Sequence, residues 1–380
     1  MKITGIYGGQ FFDPLAETLL PCDLLLHDGI LVEAGPHLSR QDAAIRILAE
    51  GLWFSPGWVD AHVHLFHAPG HLGLPAVPHC LMNGVTYAID AGSAGAADFA
   101  HFHQHILSAL PLRHKAFLHC ALPGALPTEP GELSSLAALD KDAFTAVSTA
   151  FSDEILGGKL RLNPGVCPQH PEQALDEALE MTGQLGLPLE VHPNFAPIPT
   201  TVLLNALRPG DIYTHTFHDS SIGILNTHGQ IKDSVWQAQH RGILFDTAHG
   251  GSSLSFPVMQ AALAQGFLPD FISSDLHNGS YPTPVSSLAE VMSKFLAFGL
   301  SPAQILHRVT LGPAKALDLK DKRLVLQKGE MTALTFFRFA EGAVSFTDGL
   351  GHYKTGLSRF VPVFTLLDGF WYAREPLQTC

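Results

Sequence analysis

The chain has 380 residues, of which 46% are hydrophobic and 15% are charged, and its formal net charge is −13. That length accommodates one large barrel or two medium domains, and the acidic balance argues against nucleic acid or an anionic membrane as a partner. No two cysteines form a Cys-x-x-Cys pair, which is typical of reduced thiols; the five are Cys22, Cys80, Cys120, Cys167 and Cys380. Because the sequence contains no evident signal peptide and no membrane-length apolar run, we expect a cytoplasmic protein.

Short strands separated by turns are predicted at both ends of the chain. Near the N-terminus they cover residues 2–7, 23–27 and 29–34, and His27-Asp28-Gly29 is a hairpin signal. Toward the C-terminus they cover residues 329–337, 343–346 and 360–365. Two strand-rich ends that flank a different middle predict that the two ends meet as one small β domain.

The middle of the chain, residues 55–325, alternates strands with helical stretches, which predicts a parallel sheet or barrel. The strand candidates are residues 59–65, 85–90, 115–121, 158–162, 187–192, 211–215, 242–247 and 271–275. Helices are predicted over 171–183, 234–240 and 288–298, and another begins after Ser301 with Pro302 in its first turn. Eight strands in this length match a (β/α)8 barrel.

The first barrel strand carries a pair of histidines, His62 and His64. Apolar and polar residues alternate from Trp58 to Leu65, which is the period of a strand. Residues two apart on a strand point the same way, so the pair can hold one ion together. Taken alone, the pair is equally compatible with a structural role.

Chemistry in a (β/α)8 barrel lies at the carboxyl ends of its strands. The fifth strand ends at His192, the sixth at His215 and the eighth at Asp275, while the fourth carries Lys159. Together with the histidine pair, these side chains predict a metal centre on one rim. The alternative is that they are polar residues satisfied by hydrogen bonds within the barrel. His218 competes with His215 as the sixth-strand ligand, and the strand alternation favours His215.

Lys159 requires a separate chemical argument, because a protonated ammonium cannot bind a metal ion. A carbamate formed from Lys159 and carbon dioxide has two anionic oxygens and would bridge two ions. One ion would take the histidine pair and Asp275, and the other would take the two single histidines. A hydroxide between the ions would act as nucleophile, and Asp275 would carry its proton to the leaving group. The alternative is an ordinary salt-bridged lysine.

This pattern resembles the amidohydrolase superfamily, in particular its cyclic-amidase branch of dihydroorotase and dihydropyrimidinase. It resembles most a subgroup labelled dihydroorotase-like, adenine-deaminase-like or deacetylase. The matching blocks, in order, are residues 55–64, 158–161, 191–192, 214–215, 226 with 229, 245–250, 272–277 and 309–316. The resemblance implies a TIM barrel over 55–325 and a β-sandwich domain built from 1–54 and 326–380. It also implies two divalent metal ions, with zinc expected, a carboxylated Lys159 and a homo-oligomer.

Three further residues are candidates for substrate contacts. Arg161 lies two residues beyond Lys159, and its guanidinium could hold a substrate carboxylate in a bidentate fork; a buried ion pair is the equally weighted alternative. His249 follows the seventh strand and could position the substrate or polarise its carbonyl. His277 lies two residues past Asp275 and could orient it.

These observations predict a hydrolase that cleaves an ester or amide bond of a small molecule. The resemblance to the deacetylase subgroup implies a small acylated hydroxy or amino acid as substrate. The alternatives are a cyclic amide hydrolase of the dihydroorotase type, then an adenine-type deaminase, then a scaffold that binds metal without catalysis. Loop shapes after the strands decide between substrates, and the sequence does not specify them.

Overall fold

The computed structural model describes residues 3–68, 71–126, 131–167 and 169–373. The chain begins with five strands: β1 (Ile3–Asp13), β2 (Thr18–His27), β3 (Ile30–Gly35), β4 (Ile45–Leu48) and β5 (Trp53–Pro56). β1 pairs antiparallel with β2 and parallel with β4 and β5, and β2 pairs antiparallel with β3. The predicted hairpin is confirmed, because only Asp28 and Gly29 connect β2 to β3 and both have positive φ.

Seven parallel strands follow, and their order in space is their order in the sequence. They are β6 (Trp58–Val63), β7 (Val85–Ala91), β8 (Arg113–His119), β9 (Ile155–Arg161), β10 (Leu189–His192), β11 (Ile212–Tyr213) and β12 (Leu244–Phe245). Helices separate them: α1 (Ala76–His79), α2 (Phe99–His105), α3 (Lys141–Ala150), α4 (Pro171–Gln184), α5 (Thr200–Ala206), α6 (Asp233–His240) and, after β12, α7 (Phe256–Ala264). Because the strands are parallel, their carboxyl ends meet at one edge of the curled sheet.

The predicted eighth strand, residues 271–275, is not a continuous strand. Two isolated parallel bridges connect this segment to the two outer strands of the sheet, and these are Asp246–Phe271 and Val63–Leu276. Between the bridges, the backbone N–H of Ser274 donates to the carboxylate of Asp60 at 3.0 Å, and Asp275 has a φ of 46°. The prediction of a regular strand is therefore wrong, because a side-chain acceptor and a left-handed residue interrupt the backbone ladder.

The predicted helices are present. α4 and α6 match the predicted ranges closely, and α8 (Leu288–Ala297), α9 (Pro302–His307) and α10 (Leu311–Ala316) complete the helices. α9 begins as predicted: Ser301 Oγ accepts from the N–H of Gln304, whose side chain accepts in turn from the N–H of Ser301.

The end of the chain returns to the first five strands. β13 (Ala333–Thr347), β14 (Tyr353–Leu367) and β15 (Phe370–Ala373) form an antiparallel run, and β13 pairs antiparallel with β5. Strands from both ends therefore share one sheet, separate from the parallel sheet. Phe54 of β5 and Phe336 of β13 stack in the apolar core of this second sheet, with ring centroids 4.9 Å apart. The sandwich arrangement and the domain boundaries stay predictions, and residues 374–380 lie outside the described ranges.

Four of the five cysteines lie in the described ranges, all of them buried free thiols, and the fifth, Cys380, lies outside those ranges. Burial raises the pKa of Cys22 and Cys167 to about 11, which keeps these thiols protonated and unreactive.

Within the described ranges, every helix is either too short or too polar to cross a bilayer.

Candidate metal centre

The predicted ligands come together where the parallel strands end. His62 lies in β6 with His64 just beyond it, His192 ends β10, and His215 lies two residues after β11. Donor atoms of His62, His215 and Asp275 all lie within 4.8 Å of one another, and these three side chains are buried. The His192 and His215 rings are 4.2 Å apart. The carboxyl-terminal edge of the sheet thus gathers the side chains that the sequence selects.

His62 has one ring nitrogen whose role is determined by its neighbours. Nδ1 lies 2.9 Å from Asp246 Oδ2 and 3.0 Å from Glu190 Oε1, and a carboxylate only accepts, so Nδ1 carries a proton. Nε2 faces Asp275 Oδ1 at 3.7 Å and is the nitrogen left to bind an ion. Burial and Lys159 lower the pKa of His62, but Glu190 and Asp246 outweigh them and raise it to about 10. Without an ion the ring is therefore an imidazolium.

His64 is oriented in the same sense by a hydroxyl. Ser93 Oγ donates its proton to Asp90 Oδ2 at 2.8 Å, so it accepts from Nδ1 of His64 at 2.7 Å. Nε2 of His64 then lies 3.4 Å from Asp275 Oδ1 with its lone pair available. Burial lowers the pKa of His64, so the ring is neutral, as a metal ligand must be.

His215 completes the pattern. Its Nδ1 donates to the backbone carbonyl of Ala248 at 2.8 Å, which leaves Nε2 as the free nitrogen. Burial holds the pKa of both His192 and His215 well below the usual range, so both rings are neutral. Three histidines with Nδ1 occupied by acceptors and Nε2 directed inward, beside a carboxylate, form a donor set that fits a divalent ion such as zinc.

Asp275 is held rigidly at the centre of this group. Its N–H donates to the carbonyl of His62 at 2.7 Å, and its carbonyl accepts from Nδ1 of His277 at 2.7 Å. Burial raises the pKa of the Asp275 carboxyl, but the neighbouring His277 and the positive charge of His62 outweigh it and hold the pKa well below its usual range. The carboxylate is thus ionised, and the role of His277 in orienting it stays a prediction.

Lys159 lies buried in β9, and its ammonium contacts the carboxylate of Glu190 on the neighbouring strand β10. A Cβ at Gly92, which has a φ of 81°, would overlap the Lys159 side chain, so this glycine makes the room that the lysine needs. Burial raises the pKa of Glu190, whereas Lys159 and His62 together lower it to about 2. The ion-pair alternative is the arrangement observed, and carboxylation of Lys159 stays a prediction.

Two carboxylates of the site were missed in the sequence. Glu190 and Asp246, with His62, form a second group of donor atoms within 4.8 Å of one another. A signal for Glu190 was available, since it lies two residues before His192 on the same face of the strand. Asp246 follows β12 directly, and both carboxylates orient His62 from the side away from Asp275.

Arg161, which is itself partly buried, forms an ion pair with the buried Glu132. Its Nε and Nη2 donate to the two carboxylate oxygens of Glu132, both at 2.6 Å, and Nη2 also donates to the carbonyl of Leu126. Glu132 Oε1 lies 3.1 Å from Nε2 of His119 as well. Within the described residues no hydrogen bond involves Nη1 of Arg161. A role in binding a substrate carboxylate stays a prediction.

His249 and His218 are both occupied by other partners. Nε2 of His249 lies 2.8 Å from Nζ of Lys294, and its Nδ1 lies 2.9 Å from the carbonyl of Gly250. The ring of His218 lies between the hydroxyls of Tyr213 and Ser220, at 3.0 and 2.6 Å. The preference for His215 over His218 agrees with these contacts.

Comparison with known proteins extends these observations. A search of protein-family models finds no match. The chain is 31% identical over 341 residues to a deacetylase of Agrobacterium fabrum, a match that covers 90% of this chain and 84% of the relative. A crystal structure of a dihydroorotase superposes with a TM-score of 0.89 at 28% identity and covers 100% of this chain and 99% of that one. A crystal structure of an adenine deaminase gives 0.88 at 26% identity, over 98% and 99%.

Proposed function

The chain belongs to the amidohydrolase superfamily of enzymes, and on that premise we propose that it removes the acyl group from a small acylated hydroxy or amino acid. The observation that carries the proposal is the set of three inward Nε2 atoms beside the ionised carboxylate of Asp275. The name of the deacetylase relative supports acyl transfer to water over the other reactions of the superfamily.

Two divalent ions, with zinc preferred, are the cofactors we propose. His62, His64 and Asp275 would hold one ion, while His192 and His215 would hold the other, and carboxylated Lys159 would lie between them. Bound there, such ions would polarise the scissile carbonyl and lower the pKa of a water molecule.

Asp275 is the proton carrier in the proposed reaction. Its carboxylate is ionised at neutral pH and therefore accepts the proton that the attacking water loses. As the acyl C–O or C–N bond breaks, Asp275 returns that proton to the leaving alkoxide or amine. The products are the free carboxylic acid of the acyl group and the hydroxy or amino acid. His277 keeps the carboxylate oriented through its hydrogen bond to the Asp275 carbonyl.

Arg161 is the residue we propose for the carboxylate of the substrate. Glu132 takes Nε and Nη2 of the guanidinium and holds its plane. Nη1 then remains to donate to one carboxylate oxygen. Such a contact recognises an acid but adds little net charge, because Glu132 balances Arg161.

We propose the complete (β/α)8 barrel as the underlying fold. Support comes from the bridges at Phe271 and Leu276, which connect the segment after α7 to both outer strands of the parallel sheet. The likeness to the dihydroorotase structure over the whole chain supports the same view, together with a β-sandwich built from both ends.

Hydrolysis of a substrate panel tests the proposal. Zinc-loaded protein would be assayed with O-acetyl hydroxy acids, N-acetyl amino acids, dihydroorotate and adenine, with metal content measured on the same sample. We expect acetate release, and we expect Lys159→Ala to lose the two-ion site and nearly all turnover. A protein that binds no metal and releases no acetate would overturn the proposal.

Ring opening of dihydroorotate is the second candidate function, favoured by the TM-score of 0.89 to the dihydroorotase structure. Fold similarity by itself does not decide the substrate. Turnover of dihydroorotate without acetate release in the same panel would select this candidate.

A further inference from the structure

The tripeptide Ala248-His249-Gly250 contacts two of the proposed metal ligands, His215 and Asp275. The carbonyl of Ala248 accepts from Nδ1 of His215 at 2.8 Å. Two residues later, Gly250 lies so close to Asp275 that a Cβ would overlap Oδ2. Ala248 and Gly250 have φ values of 37° and 57°, and a left-handed alanine persists only where its surroundings hold it. Something must therefore anchor the backbone between them.

His249, the central residue of the tripeptide, supplies the anchor. Its ring is fully buried. Nδ1 donates to the carbonyl of Gly250 at 2.9 Å, which makes Nε2 an acceptor, and Nε2 accepts from Nζ of Lys294 at 2.8 Å. Burial, with Lys294 adding to it, lowers the pKa of His249 to about 3, so the ring is neutral. With both nitrogens used, His249 has no donor or acceptor left for substrate.

Lys294 is an unusual residue to find at its position on α8. Its side chain is fully buried, and a buried ammonium is costly unless its protons are all hydrogen-bonded. Nζ donates to the carbonyl of Pro284 at 2.6 Å and to His249, and it lies 3.7 Å from Glu290 Oε1. Burial lowers the pKa of Lys294 to about 8, so at neutral pH most of the side chain remains protonated. An apolar residue would avoid this cost.

We propose that Lys294 is a positioning residue of the metal centre: through His249 it holds the Ala248–Gly250 backbone and thereby orients His215 and Asp275. The inference rests on the proposed function for its reference to metal, since His215 and Asp275 are ligands only in that proposal. The mechanical part, from Lys294 to the tripeptide, rests on the contacts alone. Lys294 itself touches neither ligand.

Hydrogen exchange on the metal-free full-length protein tests the mechanical part. The N–H groups of His249 and Gly250 donate to Ser273 and Ser274 carbonyls at 3.4 and 3.1 Å. Lys294→Met should accelerate exchange of these two amides, while Ser293→Ala, a neighbouring buried position on α8, should not. Lys294→Gln keeps a donor without a charge, so its exchange rates should lie between those of Lys294→Met and Ser293→Ala. It also serves as the test variant if Lys294→Met does not fold. Unchanged exchange in a folded Lys294 variant would overturn the proposal.

Metal affinity tests the consequence for the ligands. In competition with a chelator, Lys294→Met should weaken cobalt(II) binding by about 10-fold to 100-fold, the range typical of residues that orient ligands, and should change the visible spectrum of the cobalt-loaded protein. Ser293→Ala should change neither. The Lys294→Met/His249→Phe double variant should bind no more weakly than His249→Phe alone; additive losses would overturn the proposal.

The two proposals fail in different ways. If the unsubstituted protein binds no cobalt(II), the proposed function fails, while the exchange measurement still tests Lys294. If the unsubstituted protein binds cobalt(II) and Lys294→Met binds it equally well with an identical spectrum, the proposed function stands and the role of Lys294 is refuted.

Discussion

Gly250 lies directly against the carboxylate of Asp275, and a methyl group at position 250 would occupy the same space as Oδ2. The residue also has a φ of 57°, which glycine adopts at little cost. Glycine is thus required twice at this position, once for its conformation and once for the space that the proposed proton carrier needs.

Gly250→Ala should therefore slow turnover severely. The added methyl group must move Asp275, and a displaced catalytic group costs about 100-fold or more in rate. Gly251→Ala is the matched control, because a Cβ there would meet its nearest neighbour at an ordinary 3.4 Å. Steady-state kinetics on both variants decide the matter; equal activity in the two would show that Asp275 does not need its observed place.

The ligand positions could be predicted because they depend on strand order alone. Parallel strands bring their carboxyl ends to one edge, so a residue such as His192 is located once its strand is recognised. Lys294 could not be found this way. It lies 45 residues from His249, its partner, and nothing in the sequence of α8 distinguishes it from a lysine on a solvated face.

The eighth strand shows the opposite error, since a pattern typical of a strand was present but the structure does not follow it. Ser273 and Ser274 supply hydrogen bonds from their side chains, to Asp246 and Asp60, where a strand would use its backbone. Sequence periodicity indicates on which face of a strand a side chain lies. It carries no information about which atom donates a hydrogen bond to a carboxylate that is distant in the sequence.

Glu190→Gln should destabilise the metal-free protein strongly. The change leaves the buried ammonium of Lys159 without its counter-charge and removes a negative charge beside His62, and breaking a buried pair costs about 3–5 kcal/mol. Urea unfolding measures the loss. Glu180→Gln, which breaks the exposed pair with Lys141, should leave the midpoint nearly unchanged. A midpoint shift as small as that of the control would contradict the ion pair.

Glu132 makes a pH-dependent contribution to stability. Burial raises its pKa, but Arg161 and His119 outweigh burial and lower it from 4.5 to about 2. Because the folded-state pKa is depressed, the contribution is fully present above pH 4.5 and is lost as the pH falls toward 2. Glu132→Gln should therefore be less stable than the unsubstituted protein at pH 6, and the difference should shrink between pH 4.5 and 2. A difference independent of pH would refute this assignment.

Binding of a metal ion should release a proton from His62. The carboxylates of Glu190 and Asp246 raise its pKa to about 10 against burial and Lys159, so below that pH an ion must displace the Nε2 proton. The same raised pKa means that His62 stabilises the metal-free fold fully below pH 6.5 and loses this effect as the pH rises through 10. Calorimetry of zinc binding in buffers of different ionisation enthalpy counts the protons. The Asp246→Asn variant should release fewer protons when it binds zinc.

Replacing the Arg161–Glu132 pair by two methionines separates substrate recognition from stability. Removing both charges avoids leaving Glu132 unpaired in the core, and an apolar pair of similar size is tolerated at such sites. If Nη1 of Arg161 binds the substrate carboxylate, KM for an N-acetyl amino acid should rise about 10-fold, as expected for a lost hydrogen bond to a charged group, with kcat little changed. KM for the corresponding N-acetyl amino acid amide, which has no carboxylate, should not change. Equal losses on the two substrates would mean that the ion pair only supports the loop after β8 and that the acid is recognised elsewhere.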